Sequence, residues 1–389
     1  MKSEASITES TSVKVSALKG PHFEVLHRTV NSPVRLGKVR TAHGDIRTPA
    51  FMPVGTAGSV KGMSPADLQG LDAEIILCNA YHLYLRPGHE MVKRRGGLHR
   101  FIGWEGPILT DSGGYQVFSL KGLTKIDEEG VRFQSHIDGS RHMMTPERAI
   151  EIESALGADI IMAFDECLPY PSDHRSTELS LARTLRWAER SKAAHHRDDQ
   201  FLYGIVQGGF FDDLRKKGLE GLLNMGFDGI AIGGLSVGEP QEAMLSVLEG
   251  VVPLIPTVLP RYLMGVGRPE DLVEAVCRGI DLFDCVLPTR HARTGSLFTH
   301  QGEIHIKNAC YTEDDAPLDA SCECYTCRNF SRAYLRHLFM AKELLAIRLN
   351  TLHNLYYYLR LMSGLREAIG NGTLDHFRAL FYQKRAIFL

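Results

Sequence analysis

No stretch of this sequence approaches the roughly 18 to 20 consecutive apolar residues that a membrane-spanning helix needs, so a helical anchor is not expected. Neither sign of charge is in excess. With 44 Lys and Arg against 46 Asp and Glu, the net charge of −2 excludes wholesale coating of nucleic acid, and any such contact has to come from a local basic patch. The first twenty residues, MKSEASITESTSVKVSALKG, lack the apolar core of a signal peptide and alternate polar, acidic and small side chains. They predict a flexible tail over residues 1–20 on a cytoplasmic protein.

What is present is ordinary in bulk and informative in pattern. A content of 44% hydrophobic and 23% charged residues is that of a globular protein, and 389 residues suit one large α/β domain with an appendage. After short β-type alternation over residues 22–50, with a turn expected around His43-Gly44-Asp45, short apolar runs recur and end abruptly in polar or glycine residues. They are AFMPV from Ala50, EIILCN to Asn79, PILTD to Asp111, DIIMAFDE with Asp165 and Glu166, LYGIVQGG with Gln207, DGIAIGG with Gly233 and Gly234, YLMGVG to Gly267, and DLFDCVLP with Asp284. Eight such runs separated by helical patterns such as PERAIEIESALG fit strands buried on both faces of a (β/α)8 TIM barrel. An open doubly wound sheet is the alternative. In a barrel the strand ends converge on one mouth, which would gather Asp111, Asp165, Gln207, Gly234 and Asp284.

From about Lys307 the character changes, and a C-terminal zinc-binding helical subdomain is expected over 307–389, after a catalytic barrel over 21–306. Of the eight cysteines, three fall in SCECYTC at Cys322, Cys324 and Cys327, and in a reducing compartment such a cluster points to metal. A tetrahedral site needs a fourth ligand. His353, 26 residues past Cys327 at the end of a long helical pattern, completes a Cys3His set suited to one structural Zn2+. His337 is the competitor. The strand ends carry no His-x-His cluster, which argues against a catalytic metal in the barrel.

Three strand-end carboxylates in one mouth raise one another's pKa and cost stability. Each alone could be a helix cap at a βα junction. Together with Gln207 and the paired glycines they suit glycosidic chemistry, in which one carboxylate traps the sugar C1′ and another moves the leaving group's proton.

TDSGGYQ from Thr110, MAFDEC from Met162, VQGG from Val206, IGGLSVGE from Ile232, GIDLFDCVLPTR from Gly279 and the CxCxxC with its later histidine resemble tRNA-guanine transglycosylase of the bacterial type, from about Val30 to about Tyr382. The resemblance implies a (β/α)8 barrel with a zinc-bearing insertion near its C-terminal end. It implies exchange of the wobble guanine of tRNAs with GUN anticodons for a 7-deazaguanine, a step of queuosine synthesis. Asp284 would be the nucleophile on ribose C1′ and Asp111 the general acid/base. Asp165, Gln207, Gly234 and the Leu235 backbone would hold the purine, with Tyr115 and Met264 sandwiching its ring.

The LSVG segment, with Val237, and Cys167 are expected to narrow the pocket toward preQ1 rather than queuine. Arg290 and Arg293 in the PTR segment would contact bases flanking the wobble position, and Arg328, Arg332, Arg336, Lys342 and Arg348 would offer a basic face to the anticodon backbone. Thr294 stands where the family more often has Asn or His. A homodimer is implied as well. A noncatalytic RNA-binding subunit and an archaeal-type transglycosylase are the alternatives. The presence of both Asp111 and Asp284 speaks against the first. The short segment after the zinc module speaks against the second.

Overall fold

The computed structural model describes residues 21–118 and 124–386; the tail expected at residues 1–20 lies outside the described residues. Strands β1 (Phe23–Arg28), β2 (Arg35–Thr41) and β3 (Gly44–Thr48) pair antiparallel in that order. Thr41 stands opposite Gly44, so the hairpin turns at Ala42-His43, one residue ahead of the expected position. Phe23, Val39 and Ile46 point from this sheet into the barrel interior and plug its lower end.

The barrel strands are β4 (Ala50–Gly55), β5 (Ile76–Asn79) and β6 (Ile108–Asp111), then, after a separate sheet of β7 (Thr124–Ile126), β8 (Val131–Gln134) and β9 (Arg141–Met144), β10 (Ile160–Met162), β11 (Phe201–Val206), β12 (Gly229–Ile232), β13 (Arg261–Leu263) and β14 (Leu282–Cys285). These eight strands close into a parallel barrel, with β14 paired to β4, which excludes the open sheet. Every expected apolar run supplies one strand. The continuous apolar character follows from burial on both faces: Ala50, Met52 and Val54 fill the interior while Phe51 packs against the surrounding layer, and in β5 Leu77 points in while Ile76 and Cys78 point out. The β7–β9 sheet is a departure from the sequence expectation. Its strands are only three or four residues long, and the last, RHMM, does not alternate, too weak a pattern to separate from loop.

The lower end is locked by buried ionic groups. Asp281 takes two hydrogen bonds from Arg35, Nε at 3.0 Å and Nη2 at 2.5 Å, and a third from the Arg261 N–H at 2.7 Å. Local signals set the helices that return the chain between strands. Thr145 accepts from the Arg148 N–H ahead of Pro146, and Gly157, at φ 75°, ends the helix Pro146–Leu156 that leads into β10.

Past the barrel come a hairpin of β15 (Ser296–Thr299) and β16 (Gly302–His305) and the helices Tyr325–Asn329, Arg332–Met340, Leu344–Gly370 and Leu374–Ala386. The single long helical pattern of the sequence is thus broken twice. Ser331 caps the second of these helices through the Tyr334 N–H, and Lys342, at φ 59°, turns the chain before the third. Leu344–Gly370 packs on β4, β15 and the helix Leu287–Thr294, so the C-terminal module grips the barrel beside the end of β14. No helix among the described residues is long and apolar enough to cross a membrane.

Candidate active site and metal cluster

The barrel order gathers at its C-terminal mouth residues far apart in sequence. Asp111 closes β6, Asp165 follows β10, Gln207 follows β11, Gly234 and Leu235 follow β12, Met264 follows β13, and Asp284 lies in β14. Asp111, Asp165 and Gln207 are buried. Tyr115 is 59% exposed, on the side of the barrel opposite the half-buried Met264, so the two rim the mouth from across it.

The three aspartates are held differently. Asp111 receives the Ala80 N–H on Oδ1 at 2.9 Å and two side-chain amides on Oδ2, from Asn79 and from Gln116, the latter at 2.9 Å. Those donors favour the ionised form, yet desolvation outweighs them and, with Asp284 nearby, pushes this carboxyl up to about 6. Burial also raises Asp165 to about 6, against the opposing hydrogen bond that its Oδ2 accepts from Gln207 Nε2 at 2.7 Å, and the charges of Glu166 and Asp111 add to the rise. Asp284 is raised as well, chiefly by burial. Both of its hydrogen bonds, from Tyr262 Oη at 2.6 Å and the Gly265 N–H at 2.7 Å, reach Oδ1. Glu166, the fourth carboxylate of the strand ends, turns away from the others to Arg183 Nη1 at 2.7 Å.

Glycine is required where the backbone meets these groups. At Gly234, φ is 68° and a Cβ would stand 2.5 Å from Gln207 Oε1; at Gly114 it would stand 3.0 Å from the Asp165 carbonyl. A cavity lined in part by Glu166, Gln207, Gly234 and Val237 opens beside these groups.

Sequence reasoning did not single out Ala80, Gln116, Tyr262, Gly265 or Glu153. Tyr262 was visible only as one apolar residue in a strand, and backbone donors carry no side-chain signal. Glu153 is fully buried behind the barrel wall, where Oε1 bridges Thr110 Oγ1 at 3.1 Å and the Met162 N–H at 3.0 Å. It ties the strand of Asp111 to the strand leading to Asp165, where the two pair through Ile160 and Leu109 alone.

In the C-terminal module Cys322, Cys324, Cys327 and His353 are buried together, with their ligand atoms all within 4.8 Å of one another. The sulfurs lie 3.7, 3.6 and 3.3 Å from His353 Nδ1. Thiolate and imidazole ligands on a tetrahedral zinc stand about 3.6 Å apart, from bonds of about 2.3 and 2.05 Å, so the cluster fits a structural metal site. His353 Nε2 donates to the Phe298 carbonyl at 2.8 Å, which presents Nδ1 to the sulfurs. His337 is exposed on the helix Arg332–Met340 and takes no part.

Arg290 and Arg293 are exposed on the helix Leu287–Thr294 that leaves β14, and Thr294 Oγ1 caps its own helix through the Arg290 and His291 carbonyls. The expected basic face is partly spent within the chain. Arg332 pairs with Asp314 and bonds the Leu318 carbonyl, Arg328 pairs with Glu323, and Arg348 pairs with Asp67.

Comparison with known proteins meets this geometry. The family model "Queuine tRNA-ribosyltransferase" matches residues 31–387. The chain is 59% identical over 362 residues to the queuine tRNA-ribosyltransferase of Halothermothrix orenii, covering 93% of this chain and 97% of that protein. It is 59% identical over 363 residues to that of Syntrophobacter fumaroxidans, with the same coverage, and 58% identical over 347 residues to that of Solidesulfovibrio magneticus, covering 89% and 93%. With a closed barrel, a mouth of buried carboxylates and matches along nearly its whole length, the chain belongs to the queuine tRNA-ribosyltransferase family, the tRNA-guanine transglycosylases.

Proposed function

We propose that this enzyme exchanges the wobble guanine of tRNAs with GUN anticodons for preQ1 by double displacement through a covalent ribosyl-aspartate. The observation that carries the mechanism is the asymmetric tether of Asp284. Tyr262 and the Gly265 N–H hold one oxygen, Oδ1, and Oδ2 accepts no hydrogen bond among the described residues. Oδ2 is the nucleophile: it bonds to ribose C1′ as the bond from C1′ to guanine N9 breaks, and the leaving base takes a proton from Asp111. The incoming base returns a proton to Asp111 and attacks C1′, displacing Asp284, so configuration is retained and kinetics are ping-pong. A carboxyl near 6 can serve in both directions close to neutral pH.

Asp165 pairs with the N1 and N2 edge of guanine, and Gln207 and the Gly234 N–H serve O6, with Leu235 continuing the pocket wall. Gln207 already spans the gap between Asp165 and Gly234, which supports a shared purine site. Tyr115 and Met264 supply an aromatic face and a thioether for stacking. Val237 beside the cavity and Cys167 keep the 7-substituent small, which favours preQ1.

Cys322, Cys324, Cys327 and His353 would hold one Zn2+ through four protein ligands, which would staple the module and supply no reaction chemistry. Asn354, next to His353, bonds the Pro288 and Ser296 carbonyls at 3.0 and 3.1 Å, which connects the metal-bearing helix to the segment following Asp284. Arg290 and Arg293 meet the anticodon loop, from which the target base leaves its stack at modest cost. Exposed Tyr325, Tyr334, Met340, Leu344 and Leu345 on the same module support a homodimer.

Incorporation of labelled guanine into an unmodified tRNA with a GUN anticodon tests the proposal. Wild type incorporates label, preQ1 competes better than queuine, and Asp284→Asn incorporates none while keeping its melting temperature and forming no denaturation-resistant RNA adduct. A fully active Asp284→Asn would refute the mechanism.

A further inference from the structure

Arg215 lies on the helix Asp212–Met225, is 1% exposed, and reaches back under the mouth of the barrel. A guanidinium does not shed its proton at neutral pH even here, where burial brings it down to about 10. Among the described residues no carboxylate pairs with it. It donates instead to three backbone carbonyls: Nε to Gly209 at 2.7 Å, and Nη1 to Val206 and to Gly233, each at 2.8 Å. Nη2 is buried without a partner, and stands 3.6 Å from where a Cβ on Gly234 would lie. Glu239 is near enough for its charge to favour the guanidinium but makes no ion pair with it, and a buried cation without a contacting anion is costly, so the place where negative charge arises needs to be found.

The peptide between Gly233 and Gly234 connects the two. In a planar trans peptide the C=O and N–H point in opposite directions. Because Arg215 holds the Gly233 oxygen, the Gly234 N–H is turned away from the guanidinium, toward the side of the pocket where the Cys167 sulfur feels it. Sulfur is a weak acceptor, and a purine oxygen is a far better one. The cation also polarises the peptide it binds and strengthens that N–H as a donor.

We infer that Arg215 is a positioning residue for the purine O6: through the Gly233–Gly234 peptide it aims and strengthens the donor that stabilises negative charge on the departing and incoming base. This rests on the assignment of the Gly234 N–H to O6 made above. The leaving guanine carries its electron pair into a ring system that places part of the charge on O6, so a donor backed by a buried cation acts most strongly when the C1′–N9 bond is broken.

The test compares guanine with 6-thioguanine, which keeps the N1 and N2 edge but replaces O6 by sulfur. Competition constants of both against labelled guanine are measured for wild type, Arg215→Met and Arg215→Lys, with melting temperatures alongside. Wild type is expected to prefer guanine, and Arg215→Met to lose about tenfold in guanine affinity with little change for 6-thioguanine, collapsing the ratio. Arg215→Lys, which keeps the charge, should recover part of the ratio. A general loss of fold weakens both bases equally, so an unchanged ratio in an Arg215→Met enzyme that has lost affinity overturns the inference, as does unchanged affinity for both. If Arg215→Met does not fold, the Lys variant alone decides, since an unaltered ratio there with altered carbonyl geometry removes the O6 link. Failure of wild type to incorporate guanine would instead overturn the proposed function.

Discussion

Replacing Asp165 by Asn should abolish guanine exchange and make the protein more stable, by an amount that grows with pH. Burial lifts this carboxyl from an ordinary 3.8 to about 6 in the folded chain. The folded state therefore favours the neutral acid. Above the unfolded pKa the unfolded chain gives up its proton more readily, so folding stability is lost as pH rises through the interval from about 4 to about 6 and stays lost above it. A displacement of that size corresponds to about 3 kcal/mol at pH 8 and roughly half of that at pH 5. Asn is neutral throughout and still accepts the Gln207 amide, so it recovers that cost. For a chain of 389 residues the recovery at pH 8 amounts to a rise in melting temperature of about 4 °C, and roughly half of that at pH 5. Calorimetry of wild type and Asp165→Asn at both pH values is the assay. A variant that melts below wild type at pH 8, or a difference that shrinks as pH rises, would refute the claim that the site is built on a destabilised carboxylate.

Other perturbations separate the remaining roles. Cys324→Ser should lose most bound zinc by metal analysis and lower the melting temperature by several degrees; full zinc content would remove Cys324 from the ligand set. Arg290→Ala combined with Arg293→Ala should raise the KM for tRNA about tenfold or more and flatten its salt dependence by about 1.4 in the log–log slope if both meet phosphate, while the competition constant for guanine stays put. A changed guanine constant would place those arginines at the purine instead. Val237→Gly should widen the pocket and admit queuine as a competitor, and continued exclusion of queuine would show that another wall sets the limit.

The polarity of the sequence determined more of this protein than its helical periodicity did. Runs such as EIILCN and PILTD suit strands buried on both faces, and eight of them fit a barrel with their polar termini at one mouth; the pairing of β14 with β4 decided for it over an open sheet. The CxCxxC spacing likewise pointed to a metal, because in a reducing compartment clustered cysteines bind ions far more often than they form structural bridges. The helix breaks at Ser331 and Lys342 and the short β7–β9 sheet were not legible, since their local signals are weak and packing decides them. Choosing His353 over His337 needed a later helix to lie across the cysteine turn, and the structure shows that the Phe298 carbonyl fixes its ring.

Tertiary structure alone decided how each carboxylate is tuned. Burial and partners set the state of Asp111, through Asn79, the Ala80 N–H and Gln116, and tethered one oxygen of Asp284 through Tyr262 and Gly265. Apart from Gln116, five residues past Asp111, those partners come from neighbouring strands or from backbone, so no spacing along the chain marks them. Arg215 is the clearest case. In sequence it is one basic residue in an amphipathic helix, and only the fold turns it inward against three carbonyls. Residue type and order specify which groups reach the mouth of the barrel; desolvation and hydrogen bonding, which depend on everything packed around them, specify what those groups can do there.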